Sequence, residues 1–330
     1  MNFYFETDPA SSQTKLQQLI HAINEAISNG ILKEGDFLPS VNHLSKQSGV
    51  SRDTVFKAYS ILKQRSIISS TPTKGYFVNS LSFKVMVLLD DFSAFKEQLY
   101  NSFRNNLPAN YTVDLLFHHY NQDVFDQLIL NSLGRYSMYV VMNPYHQRIE
   151  NVVKKIDPNK LLILDMGTPD SPEIAYITQD FVFGVLDCLK EGLPLIKKYR
   201  EFHLVFPETL LHPKEFIHSF SYFCNSNKLK YSLVRKMTNH PVEEGQAFLV
   251  IREDDLVSII RQCREKGLEP GKDVGLISYN DTPMKEIVGS GITTISVDFG
   301  EMGQKAARFI ESKEKIFEVL APSLIVRGSL

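Results

Sequence analysis

Hydroxyl and guanidinium groups cluster at the start of one predicted helix near the amino end of the chain. Ser51 is a favourable helix N-cap, and Arg52 and Thr54 follow it in the first turn. Hydroxyls and the free N–H groups of a helix N-terminus suit phosphate oxygens, and a guanidinium suits the edge of guanine. This pattern favours a helix that reads duplex DNA. The alternative is an ordinary helical hairpin with a solvated polar face.

A small set of elements must position this helix. Gly49 can adopt the positive φ that a tight turn between two helices requires. Helical spacing of apolar residues predicts three helices, over 13–29, 41–48 and 51–65. Two β-prone runs, 67–70 and 74–78, lie around Thr71-Pro72-Thr73 and predict a hairpin. Three helices followed by a hairpin form a winged helix-turn-helix.

Residues 13–78 resemble the DNA-binding domain of the GntR family of bacterial transcription regulators. The residues that carry the resemblance occur in order at the spacing of that family: Gly30–Leu32, Gly35–Ser40, Val50–Val55, Ala58–Tyr59 and Lys74–Val78. Two positions depart from the family pattern. Asn42 stands where some relatives place an arginine on phosphate, and Thr73 replaces the usual first glycine of the wing.

Chemistry and resemblance together define a predicted DNA-contact set. Arg52 is expected to read guanine, and Lys57 to touch phosphate or to solvate its own face. Each of these polar side chains taken singly is more often plain surface, so the prediction depends on the whole set. That set comprises Ser40, Asn42, Ser51, Arg52, Asp53, Thr54, Lys57, Lys74 and Gly75.

Length and composition limit the other classes of protein. The chain has 330 residues, 43% of them hydrophobic and 22% charged, which favours two or three globular domains. No apolar run approaches the ~18 residues of a membrane helix. We expect no secretion signal at the amino end, and Cys188, Cys224 and Cys263 lie too far apart for a CxxC motif. We expect a cytoplasmic protein that makes no membrane contact.

The body of the chain alternates apolar strands with amphipathic helices. Strands are predicted over 84–89, 111–117, 138–142, 161–165, 174–177, 202–206, 231–234, 247–251, 274–279 and 293–297. Helices are predicted over 95–106, 122–132, 146–155, 181–197, 213–226, 254–266 and 300–312. Continuous apolar strands between helices imply parallel sheets that are covered on both faces. Two lobes are expected, with a ligand cleft at the carboxyl ends of their strands.

The last third of the body resembles the LacI-type effector domain, which has the periplasmic-binding-protein-like fold. The residues that carry this resemblance are Ala247–Val250, Gly267–Asp281, Ile292–Ile295, Glu301–Gly303 and Pro322–Ser329. A looser likeness, in strand order, extends it over 83–330. A GntR head on a LacI-like body is similar to the arabinose-repressor type of regulator. That similarity implies a sugar as inducer.

The resemblance also implies ligand contacts. Asp165 corresponds to a carboxylate that accepts hydrogen bonds from ligand hydroxyls, and Asn280 stands where most members have an aspartate. Arg252 and Glu253 replace an Asn-Asp pair, and Phe216 occupies the position of an expected arginine. The implied effector set is Phe92, Ser93, Phe95, Asn143, Asp165, Arg252, Glu253, Asn280 and Phe299.

Plainer roles exist for several of these residues. Asp165 could cap a loop, and Phe92 and Phe95 could belong to the core. His118-His119 lacks a second cluster at metal-ligand spacing, so no metal is expected. We find no catalytic constellation, so neither an enzyme nor a cofactor is expected. A transport-type sugar-binding protein would account for the body of the chain but not for its head. The lyase-like effector domain of other GntR proteins is shorter than this body.

The combined expectation is a dimeric regulator that binds a near-palindromic DNA operator and a small effector. The winged helix-turn-helix is assigned to residues 1–79, a linker to 80–83 and a two-lobed effector and dimerisation domain to 84–330. We expect a repressor of a carbohydrate operon, released by a sugar such as L-arabinose or L-fucose. The alternatives are a GntR-type response to a non-sugar metabolite and a sugar-binding protein without a role in gene control.

Overall fold

The chain folds into two compact units. The computed structural model describes residues 3–9, 11, 13–65, 67–72, 75–79, 83–144, 152–208 and 211–330. The first unit comprises Met1–Lys84 with Ala109–Thr112, and the second comprises Val85–Pro108 with Val113–Leu330. No helix in the described parts of the chain combines the length and the apolar character that crossing a membrane requires.

The first unit contains the predicted winged helix-turn-helix. Its elements are α1 (Lys15–Ser28), α2 (Val41–Ser48), α3 (Arg52–Gln64), β1 (Ile68–Thr71) and β2 (Gly75–Val78). Ser40 and Ser51 cap α2 and α3, and Gly49 ends α2 in the left-handed conformation with φ 65°. The two strands pair antiparallel as the wing. Each local signal in the sequence therefore has its expected structural role.

The core of the first unit is organised around Tyr59 of α3. This tyrosine is fully buried together with Val55 and Leu62 of the same helix face. Its hydroxyl donates to the carbonyl of Pro39 over 2.8 Å, and its ring lies 4.6 Å from the ring of Tyr76 in the wing. One side chain thus contacts both the connector before α2 and the hairpin. The third helix and the wing are held as one body.

The second unit has two sheets flanked by helices. Its strands are β3 (Phe83–Leu89), β4 (Tyr111–Phe117), β5 (Met138–Met142), β6 (Leu161–Asp165), β7 (Ala175–Gln179), β8 (Glu201–Val205), β9 (Tyr231–Val234), β10 (Gln246–Val250), β11 (Gly275–Tyr279), β12 (Thr293–Ser296), β13 (Phe317–Leu320) and β14 (Ser323–Ile325). Its helices are α4 (Ala94–Asn105), α5 (Gln122–Ser132), α6 (Phe183–Ile196), α7 (Glu215–Ser226), α8 (Glu253–Lys266), α9 (Pro283–Ile287) and α10 (Phe299–Ser312).

Each sheet belongs to one lobe. The first lobe has the strand order β13-β7-β6-β5-β3-β4, and the second has the order β14-β12-β11-β10-β8-β9. The chain passes between the lobes at three places, Asp180–Val182, Val297–Asp298 and Ala321–Pro322. The predicted two-lobed, periplasmic-binding-protein-like fold is confirmed. Covered parallel strands account for the continuous apolar runs in the sequence.

The sheets differ from the prediction in a few elements. Strand β14 runs antiparallel to β12, so the second sheet is not wholly parallel. The reason is the short third crossing: β13 ends at the cleft, and a strand that begins after only two intervening residues must run away from it. Strand β13 and helix α9 were not predicted. Of the helix predicted over 146–155, residues 146–151 lie outside the described residues, and Val153–Lys155 forms a 3₁₀ helix.

Helices α4 and α10 of the first lobe approach closely at Gly303. A Cβ atom added there would lie 2.3 Å from the Leu99 carbonyl oxygen and 2.9 Å from the Phe103 amide nitrogen. Ser102 also donates its hydroxyl to the carbonyl of Gly300 over 2.6 Å. Only glycine permits this separation of the two helices.

We predict that Gly303→Ala destabilises the protein by about 1–3 kcal/mol, because two helix backbones must separate. Equilibrium urea denaturation of the full chain measures the change. Gln304→Ala is the matched control, since Gln304 is the exposed neighbour on the same helix. Equal stability of the two variants would contradict the close approach.

Candidate functional site

The start of α3 borders a surface groove in the first unit. The groove is lined by the N-cap of α2 and by side chains of α2 and α3: Ser40, Val41, Asn42, Arg52, Asp53 and Phe56. Arg52, Asp53 and Asn42 are exposed, and Phe56 exposes 54% of its surface. Four members of the predicted DNA-contact set therefore meet at one accessible surface.

The Ser51 hydroxyl caps α3. Ser51 Oγ accepts from the Thr54 amide over 3.2 Å and lies 2.8 Å from Thr54 Oγ1. Asp53 and Lys57, one turn apart, form an exposed ion pair of 2.8 Å. An exposed pair of this kind has little strength of its own, so Lys57 remains free to turn towards a phosphate.

The wing supplies Gly75 of the predicted set. Gly75 opens β2 with a φ of 81°, in the left-handed region that favours glycine. Lys74 lies outside the described residues. The DNA-contact set stays a prediction, with eight of its nine residues placed in the first unit.

The second unit contains a cleft of about 380 Å³. Its lining comes from both lobes and mainly follows the carboxyl ends of strands: Asp90, Asp91, Ser93, Phe95, Lys96, Tyr120, Asp165, Met166, Gln179, Phe181, Leu211, His212, Ile251, Arg252, Glu253, Asp254, Tyr279 and Asn280. Polar groups converge there because parallel strands present their carboxyl ends at the same edge of a sheet. The volume is suited to a small molecule.

Six members of the predicted effector set line this cleft: Ser93, Phe95, Asp165, Arg252, Glu253 and Asn280. The other three do not. Phe92 is 60% exposed and packs edge-on against Phe117. Asn143 is buried just beyond β5, and Phe299 is buried with its ring 4.7 Å from that of Phe95. Phe299 therefore supports a lining residue from behind.

A buried ammonium group dominates the first-lobe side of the cleft. Lys96 has only 3% of its side chain exposed and forms ion pairs with both Asp90 and Asp91. Burial by itself lowers the pKa of Lys96, but the charges of Asp90, Asp91 and Asp165 outweigh burial and raise it. The amine is held in its charged form by carboxylates on the same wall.

Asp165 connects the two lobes through a chain of hydrogen bonds. It ends β6 with a φ of 71°, which is unusual for a residue other than glycine. Its carboxylate accepts from the Gln179 amide, and Gln179 Oε1 accepts from the Tyr279 hydroxyl of the second lobe over 2.9 Å. Burial, followed by the negative charge of Asp90, raises the pKa of Asp165 to about 6.

Lys285 of α9 holds the second-lobe side in place. Its ammonium donates to the carbonyls of Tyr279 and Asn280 over 3.1 and 2.7 Å, and it forms a 2.8 Å ion pair with Glu253. Burial lowers the pKa of Lys285, and Glu253 only partly opposes this. The backbone of Asn280, with a φ of 60°, is thereby fixed beside the cleft.

Comparison with known proteins gives the family. The profile described as "Bacterial regulatory proteins, gntR family" matches residues 15–78. The HTH-type transcriptional repressor YtrA of Bacillus subtilis (strain 168) is 33% identical over 94 residues, which are 28% of this chain and 72% of YtrA. The chain belongs to the gntR family of bacterial regulatory proteins.

With another relative the chain shares a shorter stretch of sequence. The uncharacterized HTH-type transcriptional regulator YjiR of Escherichia coli (strain K12) is 42% identical over 65 residues. These are 20% of this chain, which spans only 14% of the length of YjiR. The head is therefore shared with proteins whose remaining domains differ in length.

The body has its own similarities. A profile of the periplasmic-binding-protein-like domain matches residues 199–330. The trehalose repressor from Escherichia coli has a TM-score of 0.62 at 14% identity, over 74% of this chain and 100% of that one. The lac repressor dimer bound to operator and the anti-inducer ONPF scores 0.60 at 18% identity, over 75% and 94%. These likenesses establish the LacI-like fold of the gntR-type chain.

Several cleft residues of this gntR-family chain were not predicted. Asp90 and Asp91 directly follow a predicted strand, so the rule that ligands bind at strand ends could have found them. Tyr279 ends another predicted strand and could have been found in the same way. Gln179 lies two residues beyond the predicted strand 174–177, so the same rule could have found it, whereas Lys96 carried no such signal. Their roles depend on side chains that the fold brings to them.

We predict that ionisation of Asp165 destabilises the fold. The pKa of Asp165 in the folded state is about 6, above the ordinary value of 3.8. The stability that its protonated carboxyl contributes is therefore complete below pH 3.8 and is lost as the pH rises through 6. The free energy of unfolding of the wild type should fall by about 2 kcal/mol relative to Asp165→Asn between pH 4 and 7.

Urea denaturation at a series of pH values measures this difference. Asp187→Asn is the matched control, because Asp187 has 73% of its side chain exposed and lies outside the cleft lining. A wild type and an Asp165→Asn variant with parallel pH profiles would contradict the raised pKa.

Proposed function

We propose that the chain is a ligand-responsive transcription regulator. It would bind duplex operator DNA through the winged helix-turn-helix of residues 1–79 and a small effector through the two-lobed domain of 84–330, with 80–83 as the linker. The observation that carries the proposal is the presence in one chain of an exposed reading-helix N-terminus and an interlobe cleft. The first feature suits DNA, and the second suits a metabolite.

The DNA-binding part of the proposal uses the first turn of α3. Exposed Arg52 would read a guanine edge with its two-pronged donor. The N-termini of α2 and α3, capped by Ser40 and Ser51, would direct their free N–H groups to phosphates. The wing would lie along the backbone or enter the minor groove. The buried contacts of Tyr59 to the connector and the wing support presentation of these groups as one surface.

The effector would act by stabilising one arrangement of the lobes. The hydrogen bond between Gln179 and Tyr279 joins groups from opposite walls of the cleft, so a ligand that contacts either residue would affect the separation of the lobes. A ligand shifts the balance between two arrangements only if it binds them with different affinities. In a homodimer on a near-palindromic operator, a changed lobe arrangement would alter the fit to two half-sites.

A sugar is the proposed class of effector. One neighbour of similar fold, a LacI family transcriptional regulator from Lactobacillus casei, was solved with bound sucrose; its TM-score is 0.62 at 14% identity over 76% of this chain and 100% of that one. Asp165 and Asn280 offer acceptor oxygens to ligand hydroxyls, and Phe95 and Tyr120 offer apolar faces. We propose repression of a carbohydrate operon, with release by a sugar such as L-arabinose or L-fucose.

Arg52→Ala should abolish preference for the operator. The lost bidentate contact corresponds to about 1–3 kcal/mol of discrimination, or roughly 5- to 140-fold in affinity. Selection from a random duplex library with the full chain identifies the operator, and fluorescence anisotropy then compares the variants. Arg52→Lys is the matched control: it keeps the charge and non-specific affinity but loses the planar fork. Unchanged operator affinity in both variants would place the reading contact elsewhere.

Asp165→Asn should leave operator affinity intact but remove sugar-induced release. The substitution keeps the side-chain size and removes the carboxylate that would accept from ligand hydroxyls. The experiment titrates L-arabinose, L-fucose and other free sugars into the complex of protein and selected operator, and follows anisotropy. Asp187→Asn again serves as the exposed control. Normal release from Asp165→Asn would mean that the ligand contacts other residues.

A further inference from the structure

We propose that the cleft selects a ligand without negative charge and that Asp91 determines this selectivity by occupying the ammonium of Lys96. The ligand would be a free, polyhydroxylated molecule, and its phosphorylated or carboxylated derivatives would be rejected. This inference rests on the proposed function, because it concerns the same effector cleft. It adds the charge class of the ligand and the residue that enforces it.

The described lining of the cleft carries an excess of negative charge. Two cations, Lys96 and Arg252, face five carboxylates on the two walls: Asp90, Asp91, Asp165, Glu253 and Asp254. A cleft with low-dielectric walls focuses the field of such an excess, so an approaching anion is repelled. Neutral ligands experience no comparable barrier.

Lys96 is the cation that an anionic ligand would need, and it is already neutralised. Its ammonium has two carboxylate partners, Asp90 and Asp91. Asp90 is 1% exposed, whereas the side chain of Asp91 is 41% exposed and lines the cleft. Asp90 is therefore the buried structural partner of the ammonium. Asp91 lies on the accessible side, where a ligand phosphate or carboxylate would otherwise bind.

The two cations described on the second-lobe side, Arg252 and Lys285, each have a carboxylate partner. Arg252 forms a 2.9 Å ion pair with Asp254, and both side chains are substantially exposed, at 43% and 85%. The buried ammonium of Lys285 is directed to two backbone carbonyls and to Glu253. An anion on this side would compete with carboxylates already present, weakly at Arg252 because that pair is exposed, and more strongly at the buried Lys285.

The unoccupied hydrogen-bonding atoms of the cleft suit hydroxyl groups. Asn280 Oδ1 and Ser93 Oγ are buried, line the cleft walls and have no hydrogen-bond partner among the described residues. An amide oxygen accepts only, and a serine hydroxyl accepts or donates. A ligand hydroxyl can donate to either atom, whereas a fully ionised phosphate has no proton for the Asn280 oxygen. Uncharged polyols meet both the charge and the hydrogen-bonding requirement.

Isothermal titration of the full chain with matched ligands tests the proposal. D-glucose is compared with two anionic derivatives, D-glucose 6-phosphate and D-glucuronate. L-arabinose and D-xylose are each compared with their own phosphates, and L-fucose is titrated without a derivative. A free sugar should bind at least about tenfold more tightly than its own derivatives, a ratio that corresponds to about 1.4 kcal/mol. Equal or tighter binding of a derivative would overturn the charge selectivity but leave the proposed regulator intact.

If no compound of the panel binds, both the sugar response and this inference fail together, a result distinct from the preceding one.

Asp91→Asn tests the specificity residue directly. Removal of this carboxylate frees one side of the Lys96 ammonium, so affinity for the anionic derivative should rise about tenfold or more relative to that for the free sugar. Asp91→Glu retains the charge and should reject anions as the wild type does. Asp187→Asn controls for a general loss of negative charge. Circular dichroism and operator affinity verify that each variant is folded. The role of Asp91 would be refuted if Asp91→Asn and Asp91→Glu bound the anionic derivatives with equal affinity.

Discussion

The cleft of the second unit exists because the chain crosses three times between two sheets whose parallel strands end at the same place. Each strand that ends there delivers its following residues to one wall, as Asp90 follows β3 and Asn280 follows β11. Neither lobe contains the whole site. A change in the separation of the lobes therefore changes every distance across the site at once, and this is the geometric basis for coupling occupancy to shape.

Buried charged side chains stabilise the walls of this cleft. Burying the Lys96 ammonium is unfavourable unless it is paired, and Asp90 and Asp91 provide the pairing. Asp165 lacks an ion-pair partner at salt-bridge distance among the described residues and is instead joined to Gln179. Burial and the negative charge of Asp90 raise the pKa of Asp165, and the hydrogen bond from Gln179 opposes this only in part. A ligand that donates to the carboxylate would favour its ionised form.

The first unit meets a different requirement, which is to present a rigid surface to a groove of fixed dimensions. Tyr59 fulfils it by packing on Tyr76 of the wing and donating to Pro39 of the connector. The exposed groups of α3, Arg52 among them, are thereby carried on a helix whose other face is completely buried. Rigidity on one face and accessibility on the other suit the proposed reading of bases.

The sequence alone determined the elements whose signals are local. Strand 161–165 and helix 122–132 begin and end where the apolar pattern places them, and the caps at Ser40 and Ser51 follow from residue type. Tertiary structure decided the rest. The antiparallel direction of β14 depends on where the chain crosses, the burial of Phe299 depends on Phe95, and the bond from Tyr279 to Gln179 joins residues 100 positions apart. Periodicity reports which face of an element is buried but carries no information about distant partners, so the charges of the cleft emerge only when the lobes are assembled.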